Sequence, residues 1–241
     1  MRCYGAGIMA VFLFFLCLSG ISAESPESSS AVQLTKKELG FAVRGEYNRT
    51  FASGGDFALF GALELNERYT FKAGFALGNI DNDAEIKAFS SGHISPFSKV
   101  PLCFNFSYMY YSLPEPIYDY HAHSLLPYLS LDGHWAGLAV GYNFRFITFF
   151  DEPPMYEPAL AFLGYVNFLH NEKLRVGLSC ANFSEFYMGN MGAYSFKLSS
   201  DIHVTGRWTI LFELELLQSG GDGLTSTFYG IAYRGGVRFA W

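Results

Sequence analysis

The C-terminal stretch Arg234-Gly235-Gly236-Val237-Arg238-Phe239-Ala240-Trp241 decides the fold of this chain. Apolar or aromatic side chains stand at Val237, Phe239 and Trp241, with small or positively charged residues between them. Because successive side chains of a strand point to opposite faces, this alternation predicts a β-strand with one apolar face. In a soluble domain a polar tail usually follows such a strand, since an exposed aromatic edge promotes aggregation. The stretch therefore predicts a strand whose apolar face meets an apolar environment.

The same stretch resembles the C-terminal insertion signal of bacterial outer-membrane β-barrels. That signal runs polar, any, Gly, any, any, aromatic, any, aromatic, and its four defined places are filled here by Arg234, Gly236, Phe239 and Trp241. The resemblance covers eight of the 241 residues. It implies a protein of the bacterial outer membrane that is inserted by the barrel assembly machinery and contacts outer-membrane lipids.

The N-terminal residues predict export. Arg2 is followed by an apolar run over residues 8–18 and then by small residues up to Ala23. A run of this length is too short to span a bilayer as a helix and is typical of a secretory signal peptide. We expect residues 1–23 to be this peptide, with cleavage after Ala23. Residues 24–37 are polar and predict a flexible periplasmic lead-in.

Composition narrows the classes of partner. The chain has 16 Lys+Arg against 22 Asp+Glu, and no basic patch favours nucleic acid as a partner. Cys17 follows Leu16, whereas lipid-modified cysteines follow a small residue, so a lipoprotein anchor is a disfavoured alternative. Cys103 and Cys180 fall on opposite faces of different predicted strands, which argues against a disulfide. No later run approaches the roughly 20 apolar residues of a membrane helix.

Residues 38–241 divide into about twelve segments of period-two alternation, separated by turn-rich pieces. This pattern predicts an all-β protein, a transmembrane antiparallel up-and-down β-barrel of about twelve strands. In the clearly alternating segments the more apolar face carries no charged residue, as a bilayer requires, because Lys or Arg at its midplane costs about 2–4 kcal/mol. A barrel of 8 or 10 strands is the alternative if weak segments, such as residues 83–96, are loops. A soluble lipocalin-like barrel is a further alternative.

The connections between the segments alternate in length. Short ones at residues 66–68, 132–133 and 171–172 alternate with longer ones such as 112–122 and 150–157. Short periplasmic turns and long external loops are typical of outer-membrane barrels. With this orientation two aromatic girdles are expected at the membrane interfaces. The periplasmic one would contain Trp135, Trp208 and Trp241, and the external one Tyr110, Tyr111, Phe149, Phe150, Phe183 and Phe186.

The inward face predicts the residues that line the lumen. They are the charged residues opposite the apolar faces: Arg44, Glu46, Lys72, Arg145, Lys173, Arg175, Lys197, Asp201, Glu213, Glu215, Arg234 and Arg238. We expect Glu213 and Glu215 near the height of Arg234, with Arg44 and Glu46 level with them. Asp201 is expected near Lys173 and Arg175. Two interpretations stay open: a charged constriction that selects solutes, and a salt-bridge network that fills the interior.

The resemblance implies a porin-like channel for passive or weakly selective passage of small solutes. The alternatives are a surface-interaction (adhesin-like) barrel with a plugged lumen and a lipid-acting enzyme, which would need Ser and His with an acid or Asn at the lipid-facing rim. Residues 120–124 (Tyr-His-Ala-His-Ser), predicted in an external loop, are the one cluster of interest, since two His at this spacing could bind a metal or cap a loop. No motif predicts a catalytic residue, a metal site or a cofactor, and the oligomeric state stays open.

Overall fold

The computed structural model describes residues 34–241 except 49–53, 67, 81–82, 98–99, 114–119, 150–151, 184–192 and 220–226. The described residues contain no helix long and apolar enough to cross a membrane. They form twelve strands, which confirms the predicted all-β class and strand number. The strands are β1 (Leu34–Asn48), β2 (Gly54–Leu65), β3 (Tyr69–Ile80), β4 (Asp83–Ile94), β5 (Leu102–Leu113), β6 (Tyr120–Asp132), β7 (Ala136–Phe149), β8 (Met155–His170), β9 (Leu174–Ala181), β10 (Ala193–His203), β11 (Trp208–Ser219) and β12 (Thr227–Ala240).

The sheet closes on itself. Each strand pairs antiparallel with its neighbours in the chain, and β12 pairs with β1, which makes an up-and-down barrel. At the seam the backbone N–H of Lys37 donates to the carbonyl of Trp241 at 3.1 Å, and the N–H of Trp241 donates to the carbonyl of Lys37 at 3.0 Å. Closure leaves no unpaired strand edge, so the backbone groups of the last strand are satisfied on both sides.

Close backbone approach at the seam explains the glycine of the C-terminal stretch. Gly236 pairs with Ala42 of β1. A Cβ atom at Gly236 would lie 2.5 Å from the carbonyl oxygen of Phe41 and 2.9 Å from the Cβ of Ala42. Any side chain at residue 236 would therefore push β12 away from β1.

Some strand boundaries differ from the predictions. β1 begins at Leu34, four residues before the predicted start, and β4 is a complete strand in spite of its weak pattern. β6 begins at Tyr120, so the prediction that residues 120–124 lie in an external loop is wrong. Its outward positions there are histidines, which masked the apolar alternation that marks a lipid-facing strand.

Burial alternates along the strands as expected. In β7, Leu138 and Val140 are 64% and 57% exposed, whereas Ala139 and Asn143 are 4% and 6% exposed. Exposed apolar side chains surround the barrel, and the described chain has no second layer that covers them. A soluble lipocalin-like barrel would leave this face in water, so the outward face fits the hydrocarbon of a bilayer instead. β8, apolar on both faces in sequence, turns Leu160 and Val166 outward.

The barrel has two distinct ends. The turn end carries the connections at 66–68, 95–101, 133–135, 171–173 and 204–207, and β1 begins and β12 ends there. The loop end carries the other six connections. Trp135, Trp208 and Trp241 all lie at the turn end and are 55%, 48% and 51% exposed, as predicted for an interfacial girdle. Trp208 packs on Phe239, with ring centroids 4.8 Å apart.

The predicted aromatic girdle at the loop end is wrong in three of its members. Tyr111 faces the lumen, where the Lys87 ammonium lies 5.8 Å from its ring centroid. Phe149 pairs with the inward-facing Tyr120. Phe183 packs inside the barrel, as described below. Tyr110 does face outward, and Phe150 and Phe186 lie outside the described residues.

We expect Val140→Arg, in the middle of an outward face, to lower the free energy of unfolding in lipid vesicles by about 2–4 kcal/mol, because it places a cation in hydrocarbon. Gly206→Arg is the matched control, since residue 206 lies exposed in a turn with no atom near its would-be Cβ, and it should change stability by less than about 0.5 kcal/mol. Denaturant unfolding followed by tryptophan fluorescence measures both. Equal stability of the two variants would contradict the lipid-facing assignment.

Candidate solute channel in the barrel lumen

Five inward-facing charged residues form a buried network near the loop end, called the loop-end cluster: Arg44, Glu46, Asp56, Glu85 and Lys87. The Arg44 guanidinium forms an ion pair with the Glu46 carboxylate at 2.7 Å and lies 3.8 Å from the Asp56 carboxylate. Lys87 bonds Asp56 at 3.1 Å and Glu85 at 2.9 Å. Four of the five side chains are at most 5% exposed. Such buried charges are tolerated because each is paired, whereas a lone buried charge would cost several kcal/mol.

A missing side chain lets this network span three strands. Gly78 of β3 stands between Asp56 of β2 and Glu85 of β4 in the register. A Cβ atom at Gly78 would press on the carbonyl oxygen of Gly55 and lie 2.7 Å from the Cβ of Asp56. The space left by Gly78 therefore allows Asp56 and Lys87 to meet across β3.

Asp56, Glu85 and Lys87 were not among the predicted lumen residues. Asp56 stands near the start of its strand, where sequence patterns define the ends poorly. Glu85 and Lys87 alternate with Ile86 in the weakest of the twelve predicted strands, for which a loop is the alternative. Their consistent inward spacing of two residues was the signal that could have found them.

A second set of ion pairs lies on β10, β11 and β12. Glu213 accepts from Lys197 at 3.2 Å and from Arg234 at 2.5 Å. The expectation that Glu213 lies near the height of Arg234 agrees with their direct pairing in the register. Glu215 lies one inward position nearer the loop end, in register with Lys197, and Arg44 faces Arg234 across the β1–β12 seam.

The ion pairs on this wall are more accessible than the loop-end cluster. The side chains of Lys197 and Glu213 are 26% and 23% exposed, and those of Asp201 and Arg238 are 28% and 23% exposed. All four project inward, so their exposure requires open space inside the barrel.

The remaining predicted lumen residues are distributed over the wall. Asp201 is in register with Arg175, but its carboxylate lies 3.9 Å from Arg238. The Arg175 guanidinium donates to the Asn167 amide oxygen at 3.2 Å. Lys173 lies in the exposed β8–β9 turn rather than in β9.

The other two predicted residues have separate positions. Arg145 donates to the Tyr120 hydroxyl at 2.6 Å and lies 3.6 Å from Glu157. Lys72 occupies an inward register position opposite Ala62. Most of the charged residues predicted to line the lumen thus lie on one side of the barrel, on β9–β12 and β1. Arg145 lies on the opposite wall.

The opposite wall is apolar at its centre. Met109, Leu126 and Ala161, on β5, β6 and β8, form a buried cluster. Phe183, which follows β9, packs against this cluster together with Tyr128, and the two rings have centroids 5.3 Å apart. We call Tyr128 and Phe183 the aromatic constriction, because both rings occupy the interior of the barrel. The lumen therefore has one ionic wall and one apolar wall.

A polar patch faces outward near the loop end. His121 Nδ1 lies 2.9 Å from the Ser112 hydroxyl and 3.0 Å from the Tyr110 hydroxyl. His123 Nδ1 lies 2.9 Å from the Tyr108 hydroxyl. Ser112 and His121 are two of the three groups that a lipid-acting hydrolase needs. Ser112 is 0% exposed, so its hydroxyl cannot reach an ester as the chain is folded. The two histidines of the patch therefore pair with hydroxyl groups of the neighbouring strand.

Comparison with known proteins gives a likeness of fold. No protein-family model matches the chain, and no curated protein matches its sequence. The NanC porin superposes with a TM-score of 0.55 at 12% identity, covering 83% of this chain and 98% of that chain. A KdgM porin solved in complex with disordered oligogalacturonate gives 0.54 at 9%, covering 84% and 99%. The translocator domain of the autotransporter NalP from Neisseria meningitidis gives 0.54 at 12%, covering 99% of both chains.

These similarities establish an outer-membrane β-barrel fold. Porins and an autotransporter translocator share it at identities of 9–12%, so the fold alone does not select a function. The choice between functions depends on the lumen of this chain.

The buried network gives a stability prediction. We expect Lys87→Met to lower the free energy of unfolding by about 3–5 kcal/mol, because it removes the cation paired with two buried carboxylates and leaves only Arg44, 3.8 Å from Asp56. Lys36→Met is the matched control, since the Lys36 side chain is 48% exposed and its partner Glu38 keeps Arg238; a loss of at most about 1 kcal/mol is expected. Denaturant titration of both refolded variants measures their free energies of unfolding. Equal losses would mean that the loop-end cluster is solvated.

Proposed function

We propose that this protein is a porin-like channel of the bacterial outer membrane that passes small solutes along the ionic wall of its lumen. The proposal is carried by one observation: four inward-facing charged side chains on β10–β12, those of Lys197, Asp201, Glu213 and Arg238, are 23–28% exposed inside a closed barrel. Water must lie beside them, and ions and small polar solutes can occupy the same space.

The size of the barrel supports a narrow channel. Eight strands leave an interior that side chains fill, whereas 16 to 18 strands leave a wide aqueous channel, so twelve strands lie between these limits. The loop-end cluster and the aromatic constriction occupy part of the cross-section. The free path therefore runs beside Lys197 and Glu213, and these residues would set the selectivity for charge.

The porin-like proposal has two alternatives. A surface-interaction barrel would have a plugged lumen, and the aromatic constriction is the feature that favours it. A lipid-acting enzyme would use the Ser112–His121 pair, but the burial of Ser112 disfavours it. The porins among the structural neighbours favour the channel over the enzyme.

Bilayer recordings test the proposal. We expect the purified barrel to conduct steadily in planar membranes, and Glu213→Gln to shift the reversal potential under a salt gradient toward anion preference, because it removes a carboxylate while Lys197 and Arg234 keep their charges. Glu172→Gln, in an exposed turn, should leave the reversal potential unchanged. Silence of the wild-type barrel would instead favour the plugged, surface-interaction alternative.

The aromatic constriction makes a separate prediction. We expect Phe183→Ala to raise the single-channel conductance, because it removes a ring from the interior at Tyr128. Phe162→Ala, which removes an outward ring that is 39% exposed, should leave the conductance unchanged. A conductance that is identical in both variants would show that ions do not pass the constriction.

A further inference from the structure

Three potential metal ligands from three consecutive strands meet in the lumen wall at the turn end. His93 lies near the end of β4, Cys103 near the start of β5, and Asp132 at the end of β6. One ring nitrogen of His93, the Cys103 sulfur and a carboxylate oxygen of Asp132 all lie within 4.8 Å of one another. Within the described part of the chain, these residues form the one group of at least three such ligands.

We propose that His93, Cys103 and Asp132 bind a divalent transition metal, zinc above all, at the turn end of the lumen. Bond lengths of about 2.0–2.3 Å from zinc to nitrogen, oxygen and sulfur place the ligand atoms of a tetrahedral site about 3.3–3.8 Å apart. The present separations exceed this range by at most about 1–1.5 Å. The three strands are already hydrogen-bonded neighbours, so the gap lies between side chains of adjacent strands rather than between strands.

A chain of hydrogen bonds holds two of the ligands in orientation. His93 Nδ1 lies 2.7 Å from the Asn105 amide oxygen, the Asn105 amide nitrogen donates to the Ser130 hydroxyl at 2.9 Å, and this hydroxyl donates to Asp132 at 2.6 Å. Because the amide oxygen only accepts, Nδ1 carries the proton and Nε2 keeps the lone pair that a metal requires. In most metal sites, a histidine ligand is held in orientation by a hydrogen bond from its other ring nitrogen.

A neighbouring tyrosine extends this support to the second carboxylate oxygen. The Tyr165 hydroxyl donates to Asp132 Oδ1 at 3.4 Å. It reaches Asp132 across Gly137, which has no side chain and stands between the two residues in the register. The ligand set is thus supported from β5, β6 and β8.

The donor set selects the class of metal. Nitrogen, sulfur and oxygen ligands together favour zinc and its neighbours over calcium and magnesium, which take oxygen ligands. Three protein ligands leave a fourth position for water from the lumen, as in exchangeable zinc sites. Metal binding would also require the thiolate form of Cys103, so affinity should fall as the pH is lowered.

The Cys103 thiol lies in the same network as the other two ligands. Cys103 is 4% exposed, its thiol contacts the Pro101 carbonyl oxygen at 3.9 Å, and it interacts with the side chains of Ser130 and Asp132. The sulfur is therefore placed among the groups that hold the Asp132 carboxylate. Cys103 and Cys180 are both free. Cys180 lies on the outward face of β9, so it is not available to oxidise Cys103 within the chain.

Cobalt absorption tests the site directly. The full chain, refolded in detergent, is titrated with Co²⁺ and then with Zn²⁺. We expect one equivalent of Co²⁺ per chain, a thiolate-to-cobalt charge-transfer band in the near ultraviolet, and loss of the band when Zn²⁺ displaces the cobalt. The readout does not depend on whether the barrel conducts.

Matched cysteine variants identify the ligand. Cys103→Ser should abolish the band, and Cys180→Ser should retain it. Asn105→Leu should weaken binding about 10–100-fold, because it removes the partner that orients His93. Heat-modifiable migration on gels verifies that each variant is folded, and His93→Gln replaces Cys103→Ser if the latter fails. No stoichiometric binding by the wild-type chain, or a band that persists without Cys103, would overturn the site.

Discussion

The pairing of β12 with β1 is the interaction on which the rest of the structure depends. In hydrocarbon each unpaired backbone N–H or C=O group costs several kcal/mol, so strands can cross a bilayer only as a closed sheet. The reciprocal bonds between Lys37 and Trp241 complete that closure. They require close approach of the two strands, which Gly236 allows. The terminal stretch therefore combines a lipid-facing aromatic row, a glycine that fits the seam, and inward charges.

Closure also gives every strand two environments, lipid on its outward face and the lumen on its inward face. One face contacts lipid and excludes charge, so charged residues are confined to the interior and to the ends. Inside, they neutralise one another in pairs, and small residues such as Gly78 leave room for these pairs to form. The result is a lumen with an ionic wall and an apolar wall, narrowed by Phe183 and Tyr128. The proposed function, a channel that selects weakly by charge, rests on this arrangement.

Features that depend on alternation within one strand could be predicted from the sequence. These include the twelve strands, the tryptophans at one end and most inward charges. Features that depend on register between strands could not. The contact of Asp56 with Lys87 needs the space at Gly78, and the meeting of His93, Cys103 and Asp132 needs the alignment of three strands. The position of Phe183 depends on the path of the chain after β9, which no periodicity describes.

The opposite environments of the two faces of each strand can be measured directly on β11 in lipid vesicles. Spin labels are placed one at a time along residues 208–217, and their collisions with oxygen and with a water-soluble chromium complex are recorded. Oxygen contact should peak at the positions of Trp208, Ile210, Phe212 and Leu214, and chromium contact at that of Glu213, whose side chain is 23% exposed, so that the two profiles are out of phase. Profiles that rise and fall together, or chromium contact at every position, would contradict a membrane barrel with an aqueous lumen.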